Sequence, residues 1–154
     1  MEVRMKLTLV STLVTTIAAS WGGPAEAMTG YKWKSRPLVV FAPTPGDPQL
    51  ERQRRIVASL RPAFIDRSMV IVYVVGDRVT ADLGQRPGLP AKALRERYGV
   101  AAGVFKVLLV GKDGGVKLTS SKPIAGPTLF RTIDAMPMRA DEIRRAPNRA
   151  PAQR

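Results

Sequence analysis

Two uninterrupted apolar runs stand out along the chain: Leu38-Val39-Val40-Phe41 and Met69-Val70-Ile71-Val72-Tyr73-Val74-Val75. Both consist of β-forming residues with no polar alternation, the pattern of strands buried on both faces. Between them the period changes. Leu50, Val57, Leu60 and Phe64 recur at helical spacing, while Arg52, Arg54, Arg55 and Arg61 occupy the positions that face water. Pro43, Pro45 and Pro48 forbid continuing the first strand. Asp47 then suits a helix N-cap and Pro48 the first helical position, where a missing N–H costs nothing. Pro62 is expected to kink or end that helix near Leu60. The stretch from Leu38 to Val75 thus reads as one βαβ unit with a right-handed crossover.

Downstream, Gly76-Asp77 closes the second strand, and Arg78 to Leu89 reads as a polar loop with Gly84, Pro87 and Gly88. Pro90 opens a short helix with Leu94 and Tyr98 inward, and Gly99 stops it. Phe105 to Val110 predicts a third strand. Lys112-Asp113-Gly114-Gly115 is a turn signal, and Val116 to Thr119 returns as a fourth strand in a hairpin. Pro127 begins a last helix with Leu129, Phe130 and Ile133 inward, ended by Met136-Pro137-Met138. Ahead of the first strand, Tyr31, Lys32, Trp33 and Lys34 alternate ring and base. The segment is expected to be an edge strand, with an aromatic-basic patch for an anionic polymer as the alternative. From Arg144 to Arg154 the chain holds Arg, Pro, Ala, Asn and Gln without apolar pattern, so residues 144–154 are expected to be a disordered basic tail.

Composition changes this picture in two ways. First, residues 1–27 resemble an export signal: Arg4 and Lys6 form a basic start, Leu7 to Ala19 carries no charge, and Ala25-Glu26-Ala27 is a small-x-small cleavage site. The apolar run falls short of the roughly 20 residues of a spanning helix, which favours cleavage before Met28 over an uncleaved anchor. The expected location is periplasmic or secreted, with the folded domain over residues 28–143 and no transmembrane segment once the signal is removed. Second, the 154 residues hold 25 Lys and Arg against 12 Asp and Glu, a net charge of +13. Such an excess attracts anionic surfaces over a Debye length of roughly 8 Å. For an exported protein these are lipid head groups, lipopolysaccharide, acidic polysaccharide or acidic proteins; location disfavours nucleic acid. Solubility is the competing explanation of the charge.

The chain has no cysteine and no histidine. Disulfide exchange needs a thiolate, so thiol-disulfide and thiol-peroxidase activities are excluded by composition. No metal-spaced cluster is present, and no cofactor is expected. Three places remain. At the loop Thr44–Asp47, the free N–H groups of a helix start, with Arg36 or Arg52, could hold an anion; Asp47 as a cap would repel one. Asp47 and Asp77, both at strand ends, could form a carboxylate pair for acid–base work; a turn aspartate after Gly76 is the plainer reading. Lys112 with Lys117 could clamp an anion at the hairpin, or be ordinary exposed lysines.

The element order β-α-β-α-β-β-α, with a parallel first pair and an antiparallel hairpin, resembles that of thioredoxins and implies an α/β, thioredoxin-like fold with a mixed four-stranded sheet and flanking helices. Where thioredoxins carry redox cysteines this chain reads Pro43-Thr44-Pro45-Gly46-Asp47, and where they carry a cis-proline it reads Gly103-Val104-Phe105-Lys106. More closely, it resembles an uncharacterised bacterial exported family, the domain of unknown function numbered four-one-seven-four, to which domains of some animal extracellular-matrix proteins are related. The residues carrying this are Tyr31-Lys32-Trp33-Lys34, Arg36-Pro37-Leu38, Phe41-Ala42-Pro43, Asp47-Pro48, Val75-Gly76-Asp77, Gly111 to Leu118, and Ile133 to Met138, spanning roughly residues 31–143. The resemblance implies a fold and no settled activity. The function expected is a non-catalytic binding module for an anionic partner or envelope component. The alternatives are an acid–base enzyme on a small anionic substrate using Asp47 and Asp77, and a structural envelope or matrix protein.

Overall fold

The computed structural model describes residues 28–146. Its sheet is built outward from β1 (Arg36–Ala42), every residue of which is buried. On one side β1 pairs in parallel with β2 (Met69–Val75), from Arg36 opposite Met69 to Ala42 opposite Val75. On the other it pairs antiparallel with β4 (Lys106–Val110), which continues into β5 (Val116–Ser120). The remaining strand, β3 (Arg78–Asp82), lies antiparallel to β2, so the order is β3-β2-β1-β4-β5.

The helices cover both faces. Leu38, Val40 and Ala42 pack with Leu50 and Val57 of α1 (Pro48–Ser59), Phe64 of α2 (Arg61–Asp66) and Leu129 and Ile133 of α4 (Gly126–Asp134). Val39 and Phe41 face the other way, against Leu94 of α3 (Ala91–Tyr98) and the buried Tyr31. Burying each such side chain is worth about 1.5–3 kcal/mol, so the two faces of β1 anchor the whole molecule. Gln53, fully buried on α1, adds a polar tie: its side chain donates to the Ile124 carbonyl at 3.3 Å and accepts from the Ile124 N–H at 2.7 Å. At Gly126 a Cβ would lie 2.2 Å from Leu60 Cδ1, so glycine sets how closely α4 approaches α1 and α2.

This is the thioredoxin-like arrangement with one strand more than expected. The sheet has five strands because Arg78–Asp82 is a strand, not a polar loop. Gly76, at φ 53°, and Asp77 turn β2 back on itself as a two-residue hairpin, and Val79 is the one fully covered residue of β3. Pro62 does separate two helices, as expected, but Phe64 belongs to the second. The segment before β1 is a 3-10 helix (Thr29–Tyr31) and not an edge strand; its rings divide, Tyr31 inward and Trp33 62% exposed. Finally, Pro137 opens a further helix, α5 (Pro137–Arg145), as a first-turn proline can. The folded chain therefore runs through Arg144 and Arg145, past the boundary expected at residue 143. Residues 1–27 and 147–154, and with them the export signal and most of the expected tail, lie outside the described residues.

Candidate functional site

The residues singled out from the sequence fall at two opposite ends of β1. The strand is seven residues long, which separates its ends by roughly 20 Å at the usual rise per residue. Arg36 begins it and the Thr44–Asp47 loop follows its far end, so Arg36 cannot complete an anion site with that loop.

At the loop end, Asp47 is an N-cap: its Oδ1 accepts from the Gln49 N–H at 2.8 Å and the Leu50 N–H at 3.1 Å. The carboxylate thus already takes the helix donors that an anion would need. Thr44 is exposed, and Arg52 is exposed on α1. Asp77, in the β2–β3 turn, lies between two clefts. One, of about 840 Å³, is bounded by Pro45, Arg54, Asp77, Arg78, Thr80 and Arg86. The other, of about 610 Å³, lies over Pro43, Lys92, Arg95 and Glu96. Arg54 bonds Glu51 at 2.9 Å and lies over the Tyr73 ring at 5.2 Å. Burial, reinforced by Asp82, pushes the Tyr73 hydroxyl up to about 12, so it stays neutral. Arg52, Arg78 and Arg86 make no ion pair among the described residues.

The wall of the second cleft holds a residue not singled out from the sequence. Arg95 is buried, with its guanidinium 5.5 Å from the centre of the Phe41 ring. It donates to the Ala42 and Ala101 carbonyls at 3.1 Å and to the Gly76 carbonyl at 3.5 Å. Burial lowers its pKa, opposed by Asp77. Arg95 ties the ends of β1 and β2 together by donating to the last carbonyl of β1 and to that of Gly76, just past β2. Its place four residues after Ala91 and three before the inward Tyr98, on one helical face, was the available signal.

At the opposite end, Arg36 is wholly buried and forks onto Glu142 of α5, at 3.0 and 3.2 Å, while also donating to the Arg67 carbonyl at 2.9 Å. Lys112, only 10% exposed, reaches the same carboxylate at 2.7 Å. It is therefore not a free hairpin lysine. Trp33, held at φ 65°, donates its N–H to the Lys112 carbonyl at 2.7 Å and fixes the backbone there. Arg139 joins Glu142 to Asp66 and Asp134, and Asp134 pairs in turn with Arg67 at 2.7 Å. Burial alone would raise the Glu142 carboxyl; the hydrogen bonds from Arg36 and Lys112 outweigh it and hold the group at about 2. The two acids that organise this end, Glu142 and Asp134, were not singled out from the sequence.

A family model described as a domain of unknown function, DUF4174, matches residues 27–142. The chain belongs to that family. The DUF4174 match takes in both ends of β1 and extends to Glu142, so the ion network lies within the family domain. No group of three or more His, Cys, Asp or Glu among the described residues of this DUF4174 chain is placed to hold a metal. No described helix is long and apolar enough to cross a membrane.

Proposed function

We propose that this DUF4174 domain is an exported, non-catalytic binding module that holds an anionic polymer or envelope component in the cleft beside the β1–α1 loop. The observation that carries the reading is the placement of Arg54, Arg78 and Arg86 around one open groove. Asp77 is the one acid among the residues lining it, and Arg78 and Arg86 have no acidic partner among the described residues. The net charge of +13 supports it, because a groove lined by one sign of charge concentrates counter-ions. The signal-like residues 1–27 support export, and the missing thiol removes thiol-disulfide chemistry as a use for the fold.

Chromatography on dextran sulfate, with neutral dextran as control, tests the binding. The protein is retained at low salt and elutes as salt rises, and an Arg78→Ala/Arg86→Ala double variant elutes distinctly earlier. Both side chains are exposed and make no ion pair among the described residues, so the variant keeps its fold. Unchanged elution of the variant refutes the groove. Fractionation of producing cells tests the location: intact residues 1–27 on cytosolic protein would refute export.

A further inference from the structure

We propose that the occupant of the arginine groove is an acidic polypeptide, which adds as an extended strand to the outer edge of β3. The assignment rests on the groove reading above and narrows its ligand from any anionic polymer to one with a peptide backbone.

The backbone of β3 offers the first half of the site. β3 ends the sheet order, and no described strand pairs with its outer side. The two-residue turn makes Val75 and Arg78 the pair that closes the hairpin, and hydrogen-bonded and non-hydrogen-bonded pairs alternate from there. Arg78, Thr80 and Asp82 therefore turn their backbone groups toward β2. Val79 and Ala81 turn theirs outward, each with one N–H and one C=O. Groups in that array are a template for one more strand. Val79 lines the groove although its side chain packs with Val72 and Val74 in the core, so the cleft runs along this edge.

The charges supply the second half, because they flank the edge from both faces of the sheet. Arg78 and Thr80 stand opposite Val75 and Tyr73, on the face where Arg54 lies over the Tyr73 ring. Arg86 comes from the other face. The chain before it passes Val70, 2.6 Å from where a Cβ on Gly84 would lie, and the Gln85 carbonyl accepts from the Tyr31 hydroxyl; Val70 and Tyr31 share their side of the sheet with Val79. A strand sends successive side chains to opposite faces, about 7 Å apart on each. Carboxylates on neighbouring residues of an added strand thus meet Arg54 and Arg78 on one face and Arg86 on the other. Asp77 at the turn, and Asp82, paired with Arg61 at 2.9 Å, confine the acidic stretch to the middle of β3. A second copy of this chain is the wrong occupant, because its own β3 would bring the same arginines to the edge and each chain carries +13.

Fluorescence anisotropy tests this with a labelled peptide of alternating glutamate and threonine, roughly ten residues long, the upper end of ordinary strand lengths. Its control is the same peptide with every backbone nitrogen methylated, which keeps the charge and removes the N–H groups. The protein binds the first peptide saturably and the methylated one at least about tenfold more weakly, the loss of two ordinary hydrogen bonds. Ala81→Pro removes an outward N–H that β2 does not use, a substitution an edge strand tolerates, and weakens the unmethylated peptide by a similar factor. Equal binding of the two peptides overturns the proposal, as does unchanged affinity in Ala81→Pro. So does the absence of saturable peptide binding by protein that dextran sulfate still retains; the groove then stands as a site for charge alone. Failure to retain dextran sulfate as well removes the groove and the added strand together. The two peptides on the wild type decide by themselves, so a variant that fails to fold does not shelter the idea.

Discussion

Replacing Glu142 with glutamine tests the charge network that fastens α5 to the sheet. The substitution keeps the shape and one acceptor but removes the charge facing Arg36, which is 0% exposed, and Lys112, which is 10% exposed. Moving a carboxyl from 4.5 to about 2 on folding is worth roughly 3 kcal/mol at ~1.4 kcal/mol per pKa unit. Leaving a buried partner charge uncompensated costs a comparable ~3–5 kcal/mol. Glu142 is 27% exposed, so solvent screening brings the expected loss down to about 2–3 kcal/mol at pH 7. The folded-state pKa lies below the unfolded one, so this stabilisation is fully present above about pH 4.5 and is lost as pH falls toward 2. Urea unfolding at pH 7 and at pH 3 measures it. At pH 7 the variant unfolds at lower urea with an unchanged slope; at pH 3 more than half of the difference has gone. Other carboxylates titrate in both proteins and cancel in the comparison. A loss below about 0.5 kcal/mol at pH 7, or a difference that ignores pH, refutes the reasoning. Arg139 is the one buried residue of α5, so amide exchange in Glu142→Gln accelerates first in that helix, and uniform acceleration would show that α5 is held by something else.

Asp47→Ala removes the two cap hydrogen bonds at the start of α1 and lowers stability by about 1 kcal/mol in a thermal or urea melt, while dextran sulfate retention stays as in the wild type; a loss of retention would place Asp47 in the groove's function. Arg95→Met keeps the apolar stem but takes the side-chain donor from the Ala42, Gly76 and Ala101 carbonyls; Ala42 and Ala101 keep the Gly76 and Val104 N–H groups, so the expected cost in the same melts is about 1–2 kcal/mol, and a neutral result would mean the freed acceptors find water instead.

The apolar runs Leu38–Phe41 and Met69–Val75 and the cap Asp47-Pro48 were legible because each depends on neighbours a few residues away. Period, proline and a capping oxygen are local properties, and they sufficed for the central strands, α1 and the thioredoxin-like order. β3 escaped because this edge strand fully buries only Val79, and five residues with one apolar anchor, beginning at Arg78, resemble a loop. α5 escaped for a different reason. It docks through Arg139 and Glu142, and a helix held by charge carries no apolar stripe to announce it. Tertiary structure alone decided which candidates meet. Arg36 and Asp47, close in sequence, are driven apart by the extended strand between them. Arg36 and Glu142, 106 residues apart, share one ion pair because the sheet sets β1 beside the hairpin and α4 returns α5 to its edge. Sequence separation limits local geometry; once a sheet has formed, it no longer determines which charges face one another.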